Sequence, residues 1–124
     1  MTFVVCDHAR VIGFYSLAVG SVQFESASLR APKGLARHPI PIMTLARLAV
    51  DKSYQGSDVG AGLLKDALSR TLLVSEHAGI RAAFVNAKNG EAKSFYEKYG
   101  FEPSIVDPLW LMLLVKDIKK SFEG

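Results

Sequence analysis

Apolar and polar positions alternate along the chain in blocks that predict strands and helices in turn. Two short β-rich runs, residues 2–6 and 11–19, flank the turn-like residues 7–10 and predict an antiparallel pair of strands. Residues 26–41 show little periodicity and predict a long surface loop. The next run, residues 42–50, becomes continuously apolar, as expected of a central strand that is covered on both faces.

The longest periodic segment, residues 59–78, predicts an amphipathic helix that ends before Gly79, a residue type favoured just beyond a helix C-terminus. Its predicted buried stripe consists of Leu63, Leu64, Ala67, Leu68, Thr71, Leu72 and Ser75. A buried strand at residues 81–86 follows. A strand, a helix and a strand of these lengths predict a βαβ-type unit, and periodicity leaves open whether the two strands are parallel.

The last third of the chain predicts a helix, an extended segment and a strand. Residues 90–99 place Ala92, Phe95, Tyr96 and Tyr99 on one helix face, residues 101–103 are extended, and residues 109–115 form an apolar strand. The polar residues 116–124 predict an exposed tail. Together the elements predict a mixed α/β (α+β) fold in a single domain that covers residues 1–124.

Composition narrows the class of protein. The chain is 49% hydrophobic and 22% charged, as in globular proteins, and no apolar run reaches the ~20 residues of a membrane span. The single cysteine, Cys6, fits a reducing compartment, so we predict a cytoplasmic protein without a membrane partner. One cysteine and three scattered histidines give no metal-ligand spacing, so we predict no metal. The net charge of +3 fits a polyanionic partner such as nucleic acid and fits a protein without one equally well.

The glycine-rich residues 55–62 carry the clearest functional signal. They follow a predicted buried strand and open the long helix, where backbone N–H groups and the positive end of the helix dipole converge on an anion. Glycine allows a phosphate to approach the backbone closely. The pattern that ends in Gly-Lys-Ser/Thr is absent, which argues against an NTPase. A turn of this length suits a pyrophosphate.

Two segments resemble motifs of the GCN5-related N-acetyltransferases. QGSDVG at residues 55–60 resembles the acetyl-CoA pyrophosphate motif, and NGEAKSFYEKYGF at residues 89–101 resembles the family's second signature. They occur in the family's order, separated by a predicted helix and strand. The resemblance implies a mixed, mainly antiparallel sheet with flanking helices, and acetyl-CoA as co-substrate.

Three further phrases resemble the acetyltransferase toxins of bacterial toxin–antitoxin pairs, which acetylate aminoacyl-tRNA. They are VIGFYSLAVGS at residues 11–21, PIPIMTLARLAV at 39–50 and GAGLLKDAL at 60–68. The resemblance covers residues 3–114, nearly the whole chain. It implies aminoacyl-tRNA as substrate and an antitoxin protein as partner.

The resemblance also implies roles for individual residues. Backbone amides would hold the pyrophosphate, at Gln55, Gly56, Ser57, Asp58, Val59, Gly60 and Ala61. Leu48, Ala49 and Val50 would pair by backbone with the pantetheine arm, and Asn89 would contact the cofactor. Charge and location suggest substrate contacts for Arg30, Lys33, Arg37 and Arg47.

By the same resemblance, Tyr96 would be the general acid that protonates the departing CoA thiolate. A phenol with a pKa near 10 stays protonated at neutral pH and can donate to a developing thiolate. From the residues alone, a core tyrosine on an amphipathic helix is the favoured interpretation of Tyr96, and the resemblance to the motif reverses that preference. The sequence identifies no general base, and an aminoacyl amine with a depressed pKa needs only a weak acceptor.

Two features depart from the family pattern. The family usually opens with a strand and one or two helices that are lacking before the first hairpin here, so we expect a homodimer or an antitoxin complex to cover the bare surface. Asp58 stands where the motif has glycine. Its carboxylate either caps the helix and occupies the anion site, or turns outward and leaves its backbone N–H for the cofactor.

These observations predict an acetyl-CoA-dependent N-acetyltransferase that acetylates aminoacyl-tRNA by direct transfer. One alternative is an acetyltransferase for a small amine or a protein amine. The other is a catalytically impaired relative that acts as an interaction protein, which Asp58 and the short N-terminus favour.

Overall fold

The computed structural model describes residues 1–7, 9–22, 39–55 and 58–123, and within them the chain forms six strands and three α-helices. The strands are β1 (Thr2–Asp7), β2 (Arg10–Val22), β3 (Ile40–Val50), β4 (Ala82–Asn86), β5 (Glu102–Pro103) and β6 (Trp110–Leu114). The helices are α1 (Val59–Ala78), α2 (Gly90–Lys98) and α3 (Val115–Glu123). A 3₁₀ turn, Lys52–Tyr54, links β3 to the segment before α1.

All six strands belong to one sheet in the order β1-β2-β3-β4-β6-β5. Every neighbouring pair is antiparallel except β3 and β4, which are parallel and joined by the crossover helix α1. The predicted mixed, mainly antiparallel sheet with flanking helices is therefore confirmed, and the orientation that periodicity left open is parallel.

The main core lies between the sheet and the three helices. The stripe predicted on α1 is confirmed, since Leu63, Leu64, Ala67 and Thr71 are buried against β2 and β3. Residues that alternate with the core positions on β3, β4 and β6 form a second, smaller cluster on the opposite face: Ile40, Ile42, Ala82 and Met112. Gly13 allows α1 to approach the sheet, because a Cβ there would lie 2.9 Å from the Leu63 side chain.

The parallel pairing of β3 with β4 is short, because β4 ends at Asn86. They pair only from Ile42 to Leu45, against Ala82 to Val85. On the other side of β3, the register with β2 shifts where Leu17 pairs with Leu45 and Ser16 with Arg47, so Ala46 is the extra residue of a β-bulge. Bulges bend a strand and increase its twist. Beyond Leu45, β3 continues to Val50 and, among the described strands, is paired there with β2.

Two predictions about element boundaries are wrong. The exposed tail predicted at residues 116–124 is mostly helix α3, because Val115, Ile118 and Phe122 recur at helical spacing and Ile118 is fully buried in the core. The polar residues between them make the segment polar on average, so its composition does not reveal the apolar face. Strand β3 also starts inside the predicted loop, since Ile40 is buried and pairs with Val22. The rest of that loop, through residue 38, lies outside the described residues.

Candidate functional site

A cleft opens where β3 ends and α1 begins. Its volume is about 320 Å³. We call it the turn cleft and define it by its lining residues: Val50, Tyr54, Gln55, Asp58, Gly60, Ala61, Phe95, Lys98 and Tyr99. The cleft thus brings together the strand end, the predicted pyrophosphate turn and one face of α2. Gly56 and Ser57, which belong to the same predicted turn, lie outside the described residues.

Asp51 anchors the segment that leads into the turn. Its carboxylate accepts hydrogen bonds from the backbone N–H of Ser53 at 3.0 Å, the Ser53 hydroxyl at 2.6 Å and the Arg10 guanidinium at 2.9 Å. The two bonds from Ser53, followed by the bond from Arg10, lower the pKa of Asp51 to about 2. The Asp51 backbone N–H also donates to the Ile12 carbonyl at 2.7 Å. These bonds tie the turn segment to β2.

The first turn of α1 faces the cleft. Asp58 is the N-cap residue, and its backbone carbonyl accepts from the Gly62 N–H at 2.9 Å. Its exposed carboxylate makes no capping hydrogen bond in the part of the chain that the structure describes, so the carboxylate-cap alternative is wrong. The first N–H groups of a helix have no intrahelical partner and carry the positive end of its dipole. Gly60 and Ala61, in this first turn, line the cleft.

The end of β3 offers a backbone edge beside the same cleft. Leu48, Ala49 and Val50 pair with β2 on one side, and they lie beyond the last described pair with β4 on the other. In an antiparallel ladder the intervening N–H and C=O groups point away from the paired neighbour. An extended ligand arm could therefore add along this edge, as the predicted pantetheine pairing requires. The Val50 carbonyl already accepts from the Gln55 side-chain amide at 3.0 Å.

Tyr96, the predicted general acid, is a buried residue of α2. It is 6% exposed, and its ring packs edge-to-face on Phe95 at 5.2 Å and on Phe101 at 5.5 Å between centroids. Burial raises the pKa of Tyr96 to about 12. The phenol is therefore held protonated well beyond neutral pH, which is the state that a proton donor needs.

The remaining predicted site residues fall in different places. Asn89 is the N-cap of α2, and its side-chain oxygen accepts from the Ala92 N–H at 2.9 Å, a capping role that the sequence analysis missed. Arg47 is exposed on β3 directly after the Ala46 bulge. The other predicted substrate residues, Arg30, Lys33 and Arg37, lie outside the described residues.

The sequence analysis also missed several residues that line the turn cleft. Phe95 and Lys98 belong to the second motif, and Tyr99 was placed on the buried face of α2, although it is 37% exposed. Their common signal is position at i, i+3 and i+4 on α2, which turns them toward the start of α1.

A polar cluster away from the turn ties β2 to α1. The Tyr15 hydroxyl donates to the Asp66 carboxylate, and Arg70 donates to the Tyr15 oxygen at 2.8 Å and to Asp66 at 3.2 Å. The Arg70 guanidinium also lies 3.9 Å from the centre of the Phe3 ring. Burial, followed by the bond to Asp66, raises the pKa of Tyr15 to about 12. This cluster secures the helix whose N-terminus faces the cleft.

Residues 1–7, 9–22, 39–55 and 58–123 contain no group of three or more His, Cys, Asp or Glu placed to hold a metal ion. Over the same ranges, none of the helices combines the length and apolar character needed to cross a membrane.

The backbone edge at the end of β3 and the helix N-terminus beside it form a site of the kind that a CoA-dependent acyltransferase needs, and buried Tyr96 packs on Phe95, which lines the same cleft. The chain belongs to the GNAT acetyltransferase family, since the family model described as an acetyltransferase (GNAT) domain matches residues 1–103. The family predicted from the two motifs is thereby confirmed.

Individual relatives agree with the narrower resemblance. The chain is 44% identical over 117 residues to a tRNA-acetylating toxin of Mycobacterium tuberculosis, an alignment that covers 94% of this chain and 70% of the relative. AtaT complexed with acetyl-methionyl-tRNAfMet superposes with a TM-score of 0.89 at 30% identity, covering 98% of this chain and 74% of AtaT. A mutant AtaT toxin bound to the C-terminus of the antitoxin AtaR and acetyl-CoA gives a TM-score of 0.81 at 30% identity, covering 99% and 72%. The predicted likeness to tRNA-acetylating toxins is confirmed.

Proposed function

We propose that the protein transfers the acetyl group of acetyl-CoA to the α-amino group of aminoacyl-tRNA, as the toxin of a toxin–antitoxin pair. The observation that carries this proposal is the 44% identity, over 94% of the chain, to a relative named as a tRNA-acetylating toxin. The turn cleft, the open edge of β3 and buried Tyr96 supply the parts that such a transfer requires.

Acetyl-CoA is the proposed co-substrate, and different site residues bind successive parts of the molecule. The pyrophosphate lies in the turn cleft, on backbone amides of residues 55–61 at the start of α1. The pantetheine arm runs along Leu48, Ala49 and Val50. The N–H and C=O groups of Leu48 are its main partners, because the ladder turns those of Ala49 toward β2 and Gln55 engages the Val50 carbonyl. Asn89 contacts the cofactor beside its capping bond. A solved complex of AtaT with acetyl-CoA supports this choice of co-substrate.

The proposed reaction is a direct transfer. The amine nitrogen attacks the thioester carbonyl, a C–N bond forms, and the C–S bond breaks. Tyr96 gives its phenolic proton to the departing sulfur, and the amine gives up a proton to water. Burial raises the pKa of Tyr96 to about 12 and so keeps the phenol protonated at neutral pH, which means that the proton is available when the C–S bond breaks. Water then restores the phenol.

The proposed acceptor and protein partners are inferred from the charge of the chain and from its relatives. Arg30, Lys33, Arg37 and Arg47 are proposed to meet tRNA phosphates, and the net charge of +3 favours such a polyanion. An antitoxin is the proposed protein partner, supported by the AtaT–AtaR complex, and the active chain is proposed to be a homodimer. The proposed location is the cytoplasm, where aminoacyl-tRNA is available.

Transfer of labelled acetyl groups tests the proposal directly. The protein is incubated with labelled acetyl-CoA and either aminoacyl-tRNA or the same tRNA without its amino acid. Label is expected only on the aminoacylated tRNA, because only that molecule carries the α-amino group. Transfer to free amino acids or peptides in preference to aminoacyl-tRNA would replace the proposed acceptor with a small amine or protein amine.

A thermal-shift titration separates an active enzyme from an impaired relative. Binding should raise the melting temperature in line with a stabilisation of RT ln(1 + [L]/Kd). The absence of any shift at about millimolar acetyl-CoA would contradict a role for this co-substrate and favour the interaction-protein alternative.

A further inference from the structure

The carboxylate of Asp51 joins two separate parts of the chain beside the turn cleft. One carboxylate oxygen accepts both bonds from Ser53, the backbone N–H at 3.0 Å and the hydroxyl at 2.6 Å. The other oxygen accepts from the Arg10 guanidinium at 2.9 Å. Arg10 begins β2, so the two oxygens together tie the segment after β3 to the start of β2.

The segment that these bonds hold ends at the turn cleft. Asp51 is the N-cap of the 3₁₀ turn Lys52–Tyr54, and its carbonyl accepts from the Tyr54 N–H at 2.9 Å. No residue of this turn is buried, so burial in the core contributes little to its conformation. Tyr54 and Gln55 line the cleft, whereas Asp51 is not among the residues that line it. Asp51 can therefore act on a ligand only through the turn.

Asp51 and Asp58 lie at opposite ends of the segment that leads from β3 into α1, and their carboxylates differ in what they bind. The Asp58 carboxylate makes no capping hydrogen bond within the described residues, whereas both oxygens of Asp51 are bonded. On charge alone, the removal of either carboxylate should strengthen the binding of an anion. Loss of Asp51 would also leave the Arg10 cation without this partner, which adds to the attraction.

Hydrogen bonding gives the opposite sign at Asp51. A turn that has lost its side-chain bonds must be ordered when the ligand binds, and the free energy of that ordering is subtracted from the affinity. A turn that is already held in the binding conformation avoids this cost. The direction of the change in affinity therefore distinguishes the two roles.

We propose that Asp51 is a positioning residue for acetyl-CoA, whose carboxylate holds the turn Lys52–Tyr54 in the conformation that presents Tyr54 and Gln55 to the pyrophosphate. This inference rests on the proposed use of acetyl-CoA and deepens it. Asp51 acts through Ser53 and Arg10 and does not touch the ligand.

Calorimetric titration with acetyl-CoA tests this role, together with competition by pantetheine, which lacks the pyrophosphate and the nucleotide. Asp51→Ala should bind acetyl-CoA about 3- to 10-fold more weakly, the equivalent of about one net hydrogen bond. Its affinity for pantetheine should be unchanged, which also shows that the variant folds. Asp51→Asn should recover most of the lost affinity, because its amide oxygen can accept both bonds from Ser53. Ser53→Ala, which removes only the hydroxyl bond, should lose at most about 3-fold.

Asp107→Ala is the matched control. The Asp107 carboxylate also accepts from the backbone N–H two residues later, that of Leu109 at 2.9 Å, but Asp107 does not line the turn cleft. Both affinities of this variant should equal those of the unaltered protein. Unchanged or tighter binding of acetyl-CoA by Asp51→Ala, an equal loss for pantetheine, or an equal loss in Asp107→Ala would overturn the positioning role and leave acetyl-CoA as co-substrate. Failure of the unaltered protein to bind acetyl-CoA would overturn the proposed function as well.

Discussion

Asp58 places a negative charge at the rim of the turn cleft, and its removal should strengthen acetyl-CoA binding. A unit charge about 6 Å from one phosphate charge costs roughly 0.7 kcal/mol at the dielectric constant of water and about 3 kcal/mol at an effective value of 20. Those energies correspond to about 3-fold and about 100-fold in affinity. Because the carboxylate is exposed and makes no capping bond within the described residues, we expect a gain near 3-fold.

Two substitutions distinguish the effect of the Asp58 charge on binding from an effect of the backbone at this position. Asp58→Asn removes the charge and keeps the shape, and Asp58→Gly restores the residue that the family motif has. Glycine is tolerated at an N-cap at a cost of only a few tenths of a kcal/mol against the favoured polar residues, so both variants should fold. Calorimetric titration with acetyl-CoA should show the same gain for both.

Glu76→Gln is the matched control. It also removes one exposed carboxylate from α1, but it lies about 27 Å from Asp58 along the helix, at about 1.5 Å per residue, well beyond the screening length at ordinary salt. The gain at Asp58 should shrink at about 1 M salt, where the screening length falls to about 3 Å. The reasoning is refuted if Asp58→Asn binds no more tightly than the unaltered protein, or if Glu76→Gln gives the same gain.

Three further predictions follow from individual side chains. Tyr96→Phe should reduce kcat by about 10²- to 10⁴-fold with unchanged Kd for acetyl-CoA in single-turnover and binding assays, and a normal kcat would rule out Tyr96 as the acid. Ile118→Ala should destabilise the fold by about 2–5 kcal/mol in chemical denaturation, whereas the exposed neighbour Lys119→Ala should change it by under about 0.5 kcal/mol; equal effects would mean that α3 does not pack on the core. Asp51 has a folded pKa of about 2 against an ordinary 3.8, so its stabilising contribution is complete above that ordinary value and disappears as the pH falls from about 4 to 2. The melting temperature of Asp51→Asn should therefore fall less than that of the unaltered protein as the pH is lowered over that interval. Equal falls in the two proteins would contradict the stabilising role of the hydrogen bonds to Asp51.

The periodicity of apolar residues predicted helix α1 well, because the residues that are buried there recur at the spacing of a helix. The bounds of α1 are those expected, the stripe through Leu63, Leu64 and Ala67 is buried, and Gly79 ends the helix at φ 69°. Each of these features depends on residues close together in the chain.

The features that sequence reasoning missed depend on contacts between distant segments. The bulge at Ala46 changes which residue of β2 each residue of β3 faces, and no local pattern records such a shift. The residues of β3 that follow this shift, beyond the last pair with β4, form the proposed pantetheine edge. Helix α3 has apolar residues at only a few positions, and its burial requires α1 as a packing surface. The turn at Asp51 could have been predicted from the sequence, because an aspartate side chain commonly accepts a hydrogen bond from the backbone N–H two residues later.

The charges around the turn bear on whether Asp58 abolishes or only weakens activity. Asp58 lines the turn cleft and a neighbouring cavity between α1 and the C-terminal end of α3. Each of the two also presents one lysine, Lys98 in the turn cleft and Lys65 in the neighbouring cavity. Two cations therefore oppose one exposed carboxylate, and the dipole of α1 adds positive potential on the same side. A ligand that carries a pyrophosphate and a further phosphate meets net attraction along this wall. Asp58 should thus set how tightly acetyl-CoA is held, which favours an active enzyme with reduced cofactor affinity over an inactive relative.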